Sequence, residues 1–394
     1  MKKILAEHLK VIGENSVDFV SEEELYRKLE SCFKEKKNLK VKIGFDPTAS
    51  DIHLGHTVLL RKLRKIQDLG HRIYFIIGDF TAQIGDPSGR LTLRPILTKK
   101  EIEHNAKTYT EQAFKILDKK KTNIIFNSSW YKNMKASEFI ALLSRYTVAR
   151  MLERDDFTQR LKQNKPLSLG ELVYPIIQGY DSVRIGSDIE FGGTDQKFNL
   201  IVARHLQESF GQKPQVVITL PLLLGLDGKN KMSKSLRNYV GITEDSKSMF
   251  GKIMSISDEL MWDYFKLLTD FDTQILKNRH PKEAKLLLAE TIVGSYHSQK
   301  IAKQEREEFE RIFSKKGLPQ DLPIYISRKE EIDLIDALHR MSIVTSKNEA
   351  RRLLQQKSIT CRGLPVKTAC LKVPKDGMVL KVGKKRFIKI IYKK

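Results

Sequence analysis

The chain has 394 residues, with 71 Lys+Arg against 48 Asp+Glu and a formal net charge of +23. Apolar and charged fractions of 40% and 30% belong to a folded chain long enough for two or three domains, which argues against overall disorder. Three cysteines, Cys32, Cys361 and Cys370, exclude a disulfide framework and give no metal-ligand spacing, so a reducing, cytoplasmic setting is expected. No run reaches the ~18 apolar residues of a membrane span. The opening MKKILAEHLKVIGENS lacks the apolar core and cleavage site of a signal peptide, so no membrane partner is expected. The basic surplus favours a polyanionic partner, nucleic acid before membrane.

Leu39, Val41, Ile43 and Phe45 alternate as in a strand, which Asp46-Pro47-Thr48 breaks. HLGH, His53 to His56, opens a helical stretch with Leu59, Leu63, Ile66 and Leu69 inward and Gly70 as its stop. IYFIIGD, 73–79, is apolar throughout, as a parallel strand covered on both faces would be. Strand, turn, helix and strand make a βαβ unit, so the front half is expected to be an α/β, doubly wound parallel sheet.

Ligands of such sheets bind beyond the C-terminal strand ends, where HLGH falls. A helix N-terminus attracts phosphate through its free N–H groups and dipole. His53 and His56 add donors for phosphate oxygens, and Gly55 lets a flat base approach the backbone. The alternative, a histidine metal pair, lacks a neighbouring Cys or carboxylate in the right pattern, and no metal site is expected. Neither G-x-x-x-x-G-K-[ST] nor G-x-G-x-x-G occurs, which excludes a P-loop and a dinucleotide fingerprint.

The stretch 87–170 shows only helical segments, such as SEFIALLSRYTVARML. Tyr174, Gln178 and Asp181 follow at i, i+4 and i+7, one face of a helix. They are expected to point into one pocket, Asp181 deepest; the alternative is a core aromatic and a surface charge. A second phosphate grip is LDGKNKMSKS, 226–235, where Gly228 and Asn230 suggest a mobile turn carrying Lys231 and Lys234. Their ammonium groups can follow charge as it develops on a leaving pyrophosphate. From charge alone the same loop reads as a solvated basic turn. Residues 236–313 are mostly helical and charged.

Residues 332–394 hold 16 Lys+Arg and 4 Asp+Glu. SKKGLPQDLPIYISRKE, 314–330, reads as the linker into this basic domain. Ile332, Ile335, Leu338 and Met341 are spaced for one helix face, and Ser346 and Glu349 form a capping box that opens NEARRLLQQ. Lys347 and Arg351 share a face of that helix, with Arg352 beside it. Strands are expected around Ile359–Cys361 and Met378–Val382, then a turn at Gly383–Lys384 into RFIKIIY. Arginine-bearing helices on a small sheet suit a phosphate backbone; the alternative is a merely solvated face.

The tail resembles an S4 RNA-binding domain through SKNEARRLLQQKSITCRG and GKKRFIKI. That likeness implies RNA rather than DNA, recognised largely by shape, as the partner of the basic face with Lys347, Arg351 and Arg352. HLGH followed about 180 residues later by KMSKS resembles a class I aminoacyl-tRNA synthetase. KIGFDPTASDIHLGH, IGDFTAQIGDPSGR, YPIIQGYDS and FGGTDQKFN narrow the resemblance to the bacterial-type tyrosyl-tRNA synthetases. It implies a catalytic domain over 1–225 with a dimer-interface insertion at 87–170. A KMSKS loop and helical anticodon-side domain at 226–313, the linker at 314–330 and an S4-like α+β domain at 331–394 would follow.

The family's site residues transfer onto matching positions. Asp86, Tyr174 and Gln178 would hold the substrate amino group, Asp181 the phenol hydroxyl, and Gln196 would lie against the substrate. Asp195, beside Gly193, would take the ATP ribose, and Asp46 and Thr48 belong to the amino-acid and ATP end. His53 and His56 would hold phosphates while Lys231 and Lys234 close over them. Mg²⁺ would travel with ATP. The implied partners are L-tyrosine, ATP, tRNA(Tyr) and a second copy of the chain. Many relatives carry Tyr-Cys just before GFDP; Lys42 and Ile43 stand there instead, as in the lysine-containing subfamily, so that tyrosine's role is not carried onto Lys42. Rival readings are a tryptophanyl synthetase, a nucleotidyltransferase that makes an acyl-adenylate without tRNA, and a non-catalytic RNA-binding protein.

Overall fold

The computed structural model describes residues 2–48, 50–88, 97–313, 322–361, 364–374, 377–383 and 386–393. They form two compact units, Met1–Lys303 and Gln304–Lys394. Among the described residues no helix is long and apolar enough to cross a membrane.

The first unit is built on a six-stranded sheet: β1 (Asp18–Val20), β2 (Lys40–Phe45), β3 (Arg72–Ile77), β4 (Thr122–Phe126), β5 (Ile189–Gly193) and β6 (Val216–Leu220). Its order is β1-β6-β5-β2-β3-β4, with β2 to β6 parallel and β1 antiparallel on one edge. Every residue of β5 and β6 is buried, so this side of the sheet is covered on both faces, as the parallel arrangement requires. The helix Leu54–Asp68 joins β2 to β3 and buries Leu60, Leu63 and Ile66, while Leu59 and Leu69 are only partly covered. Gly70, at φ 97°, follows its last turn.

Two helices, Leu169–Ile185 and Lys197–Ser209, flank β5 in sequence and pack closely on each other. A Cβ on Gly179 would lie 2.8 Å from Leu206 Cδ1 and 3.0 Å from the Ala203 backbone, so only glycine permits that approach. A helical run, Ser246–Met254, Asp258–Leu268, Pro281–Tyr296 and Gln299–Phe313, completes the stretch expected to be helical.

One expected boundary moves. The stretch 87–170 was read as helical insertion, yet β4 lies within it and pairs along its whole length with β3. Residues 99–126 are therefore part of the sheet domain, and an insertion can begin only after β4. Residues 89–96 lie outside the described residues.

In the second unit β7 (Ile324–Ser327), β8 (Glu331–Asp333), β9 (Ile359–Cys361), β10 (Leu364–Pro365), β11 (Cys370–Lys372), β12 (Met378–Val382) and β13 (Arg386–Tyr392) form a five-stranded sheet, β10-β9-β12-β13-β7, and a β8–β11 pair. Helices Leu334–Arg340 and Lys347–Gln355 pack with them around Leu338, Ala350, Leu380 and Ile388. The stretch 314–330 is not wholly a linker: β7 pairs in parallel with β13, while 314–321 lie outside the described residues. Ile332 is in β8 rather than on the helix face assigned to it, because its apolar side chain enters the same core from a strand. The capping box is half formed. Ser346 Oγ accepts from Glu349 N at 3.1 Å, but Glu349 Oε2 accepts from Thr345 N and Oγ1, at 2.7 and 2.8 Å, instead of Ser346 N. Strands stand at Ile359–Cys361 and Met378–Val382 as expected, and Lys384 of the predicted turn lies outside the described residues.

Candidate active site

The strand order reverses between β5 and β2, and these two strands pair over only two rungs, Val41–Ile189 and Lys42–Glu190. Beyond Lys42 and Glu190 each strand keeps its other neighbour and the sheet forks. A cleft of about 470 Å³ opens from that fork, at the C-terminal ends of β2, β3 and β5. It is lined by every first-unit residue singled out from the sequence as a site residue: Asp46, Thr48, His53, Gly55, His56, Asp86, Tyr174, Gln178, Asp181, Gly193, Asp195, Gln196, Lys231 and Lys234.

The floor is dry. Asp181 is 3% exposed; its Oδ1 accepts from Trp130 Nε1 at 2.9 Å and its Oδ2 from Asn127 Nδ2 at 3.3 Å. Burial pushes its carboxyl up to about 7 against the pull of Lys42 and of those two donors. Tyr174 and Gln178 lie on the same helix face, as the spacing predicted. Tyr174 donates its hydroxyl to Asp46 Oδ2 at 2.9 Å, and Thr81 Oγ1 donates to Asp46 Oδ1 at 2.7 Å. A Cβ on Gly78 would fall 2.1 Å from Asp46 Oδ1, so glycine there makes room for that carboxylate. Gln178 Oε1 and Gln196 Oε1 both accept from Asn199 Nδ2, at 3.0 and 3.1 Å. Gln196 Nε2 in turn donates to Asp86 Oδ2 at 2.8 Å.

The mouth joins segments far apart in sequence. Leu54 N donates to Val240 O at 2.9 Å and Ile242 N to Ile52 O at 3.0 Å, which lays HLGH against the strand-like segment just after KMSKS. His53 N donates to His56 Nδ1 at 3.2 Å, which leaves His56 the Nε2–H tautomer as a donor. Burial, reinforced by the nearby lysines, lowers His53 to about 2 and His56 to about 4. Both imidazoles are therefore neutral near pH 7. They offer N–H groups without charge, and the positive field comes from the helix N-terminus and the lysines. Lys231 Nζ bonds Asp195 Oδ2 at 2.7 Å, and Lys234 Nζ bonds Asp51 Oδ2 at 3.2 Å.

The KMSKS turn is knit more tightly than its glycine suggests. Asp227 Oδ1 accepts from Lys229 N and Asn230 N, both at 3.1 Å, and its Oδ2 accepts from Asn230 and Asn238 side chains. Asn238 also binds Ser233 N at 2.8 Å and Lys231 O at 3.2 Å.

Sequence reasoning missed Asn127, Trp130, Thr81, Asn199, Asp227 and Asn238, which touch and orient the predicted groups. Asn199 stands inside the quoted FGGTDQKFN and Asp227 inside LDGKNKMSKS, so the motifs carried a signal; Asn127 and Trp130 carried none. Among the described residues no cluster of three His, Cys, Asp or Glu could hold a metal ion. In the second unit Arg351 and Arg352 are exposed, whereas Lys347 is paired with Asp336 at 2.9 Å.

A sheet forked at its reversal point, a helix N-terminus bearing two histidines and a facing lysine loop define a class I nucleotide-activating site. The family model of class I tRNA synthetases (W and Y) matches residues 34–314. The chain is 50% identical to the tyrosine–tRNA ligase of Aquifex aeolicus over 390 residues, covering 98% of each. It is 47% identical to that of Thermotoga maritima over 394 residues, covering 98% of this chain and 97% of the other. The solved tyrosyl-tRNA synthetase of Archaeoglobus fulgidus, complexed with L-tyrosine, shares the fold at TM-score 0.62 and 23% identity, over 77% of this chain and 99% of that one. The chain belongs to the tyrosyl-tRNA synthetases, within the class I synthetases for tryptophan and tyrosine.

Proposed function

We propose that the chain activates L-tyrosine with ATP and transfers the tyrosyl group to tRNA(Tyr). The observation that carries this reading is Asp181: a buried carboxylate at the floor of the cleft, already held by two donors, with oxygen lone pairs left for a phenol hydroxyl. An indole N–H also suits such an acceptor, so the choice of tyrosine over tryptophan is supported by the 50% and 47% identity to tyrosine–tRNA ligases. Asp86, Tyr174, Gln178 and Gln196 then surround the amino group and body of the substrate, and Asp46 reaches the junction between tyrosine and ATP.

The tyrosine carboxylate attacks the α-phosphorus of ATP, and pyrophosphate leaves. The 3′-terminal ribose hydroxyl of the tRNA then takes the acyl group and AMP departs. A carboxylate is already nucleophilic, so catalysis is positioning plus stabilisation of phosphate charge. Thr48, Gly55 and Gly193 line the nucleotide's path. His53 and His56 donate N–H groups to phosphate oxygens, and Mg²⁺ accompanies ATP. When ATP enters, Asp195 exchanges Lys231 for the ribose, and Lys231 and Lys234 turn to the phosphates.

The second unit is an S4-like RNA-binding module, supported by its exposed Arg351 and Arg352 beside Lys347. Exposed Ile140, Val148, Leu161 and Leu169 support a homodimer face after β4. A cytoplasmic setting follows from the reaction. The test is ATP–pyrophosphate exchange with each of the twenty amino acids: exchange with tyrosine alone is expected, and exchange with another amino acid, or with none, overturns the reading.

A further inference from the structure

Lys42 is fully buried on a central strand, and it belongs to none of the groups so far given a task. Its Nζ donates to Glu190 Oε1 at 2.7 Å, Ser182 Oγ at 2.8 Å and Gln178 O at 3.0 Å. Ser182 passes the bond on, donating to Glu190 Oε2 at 2.8 Å, and the Gln215 side-chain amide donates to the same oxygen. Both charges are therefore satisfied, and the pair occupies the last rung before the sheet forks. Glu190 itself lines the cleft.

Two consequences follow from this placement. Gln178 and Ser182 bracket Asp181 by one helical turn, so Lys42 pins to β2 the very turn that carries the phenol acceptor. The ammonium and the Asp181 carboxylate are both buried, so solvent does little to screen the pull of one on the other. Burial raises the Asp181 carboxyl; Lys42 is the largest influence drawing it down, and Glu190 pushes it further up. The other ionisable groups facing Asp181 are few. Tyr131 donates its hydroxyl to Ile177 O and is held well above its ordinary value by burial, so it stays neutral. Arg184, on the same helix, lies 6.0 Å from the Trp130 ring.

We propose that the Lys42–Glu190 pair is a specificity-positioning unit: it aims the Asp181 turn into the cleft and sets whether that carboxyl meets tyrosine as an anion. The inference rests on tyrosine activation as the function. An ionised acceptor binds the phenol O–H more strongly than a neutral one, so the pair governs how far tyrosine is preferred to phenylalanine and over what pH range.

The test is kcat/KM for tyrosine and for phenylalanine in ATP–pyrophosphate exchange, on both sides of neutral pH. The full-length enzyme is compared with Glu190→Gln, Lys42→Met/Glu190→Gln and Asp181→Asn, each checked for a cooperative melt. Glu190→Gln removes the like charge, and the acid limb of the tyrosine-to-phenylalanine ratio is expected to move to lower pH. The double variant removes the stronger, opposing influence as well, and the limb is expected to move to higher pH, by about one unit for each tenfold change in Asp181 ionisation. Asp181→Asn should abolish the limb. Folded variants whose profiles superimpose on that of the parent, or move the same way, overturn the inference while leaving tyrosine activation intact. A parent enzyme without tyrosine-dependent exchange defeats both.

Discussion

The floor and the mouth of the cleft use the same chemistry, lysine against carboxylate, under opposite conditions. At the floor Lys42 and Glu190 are 0% and 1% exposed. At the mouth the Lys231 and Asp195 side chains are 44% and 22% exposed, and those of Lys234 and Asp51 are 22% and 43%. An exposed pair contributes about 0–1 kcal/mol and separates readily. A buried pair cannot separate without leaving a bare charge in a dry interior. On the proposed function, selection of the amino acid falls to the buried part, and charge stabilisation to a part whose bonds can be exchanged for those of ATP.

Breaking the floor is expected to have the largest effect. Lys42→Met leaves Glu190 buried and unpaired, at a cost of about 3–5 kcal/mol by analogy with other broken buried pairs. Denaturant unfolding should show it, with Lys42→Met/Glu190→Gln recovering much of the loss. A single variant as stable as the double would mean that Glu190 finds water or another partner. At the mouth, Lys231→Ala should leave stability within about 0.5 kcal/mol of the parent. It should lower kcat for pyrophosphate exchange by about 10²–10³, the worth of a preorganised donor to developing charge, with KM for tyrosine little altered. A melting loss as large as that of Lys42→Met would erase the contrast between the regions.

Asp181→Ala tests selection directly. The lost bond to a charged acceptor is worth about 1.5–3 kcal/mol, so the tyrosine-to-phenylalanine ratio of kcat/KM should fall by one to two orders of magnitude. An unchanged ratio would remove Asp181 from recognition. The same residue leaves a mark on stability. Its carboxyl titrates near 7 when folded and near 3.8 when unfolded, so its contribution is full below the lower value and is lost as pH rises towards 7. His53 and His56 act in the opposite sense: lowered from 6.5, they stabilise above that value, and the contribution fades as pH falls. Between about pH 4 and 7 the melting temperature of the Asp181→Ala protein should therefore fall less with rising pH than that of the parent, while the loss on acidification remains.

What could be read from the sequence follows the same division. HLGH, KMSKS and the Tyr174–Gln178–Asp181 face are short and local, so spacing and helix period were enough to find them. β5 and β6 and the fork between β5 and β2 were not legible, because which strands neighbour one another is decided by packing between distant segments. Asn127 and Trp130 follow β4 in a region that reads only as helices, and nothing nearby announces that they will reach Asp181. Lys42 was visible only as a departure from a pattern; its partner Glu190 lies 148 positions away in a run, IEFGG, whose other residues are apolar or glycine. In the tail, β7 was hidden inside an apparent linker because its pairing partner is β13, at the far end of the chain.

The smallest effect expected lies in that tail, at a helix start the sequence half described. Ser346 caps the Lys347–Gln355 helix through Glu349 N, and Ser346→Ala should cost about 1 kcal/mol of local stability. Glu349 was expected to return the bond to Ser346. Instead its Oε2 holds Thr345 N and Oγ1, and its Oε1 takes Arg386 at 2.9 Å. Those bonds, first of all the one from Thr345 N, hold its carboxyl at about 2, so its contribution is present above the ordinary glutamate range and is lost on acidification. Because Arg386 begins β13, Glu349→Gln should loosen the contact between helix and sheet as well as the cap. Amide exchange of β13 distinguishes the cases: protection there should fall in Glu349→Gln and stay unchanged in Ser346→Ala. Equal loss in both would restore the simple capping box and remove the tie to the strand.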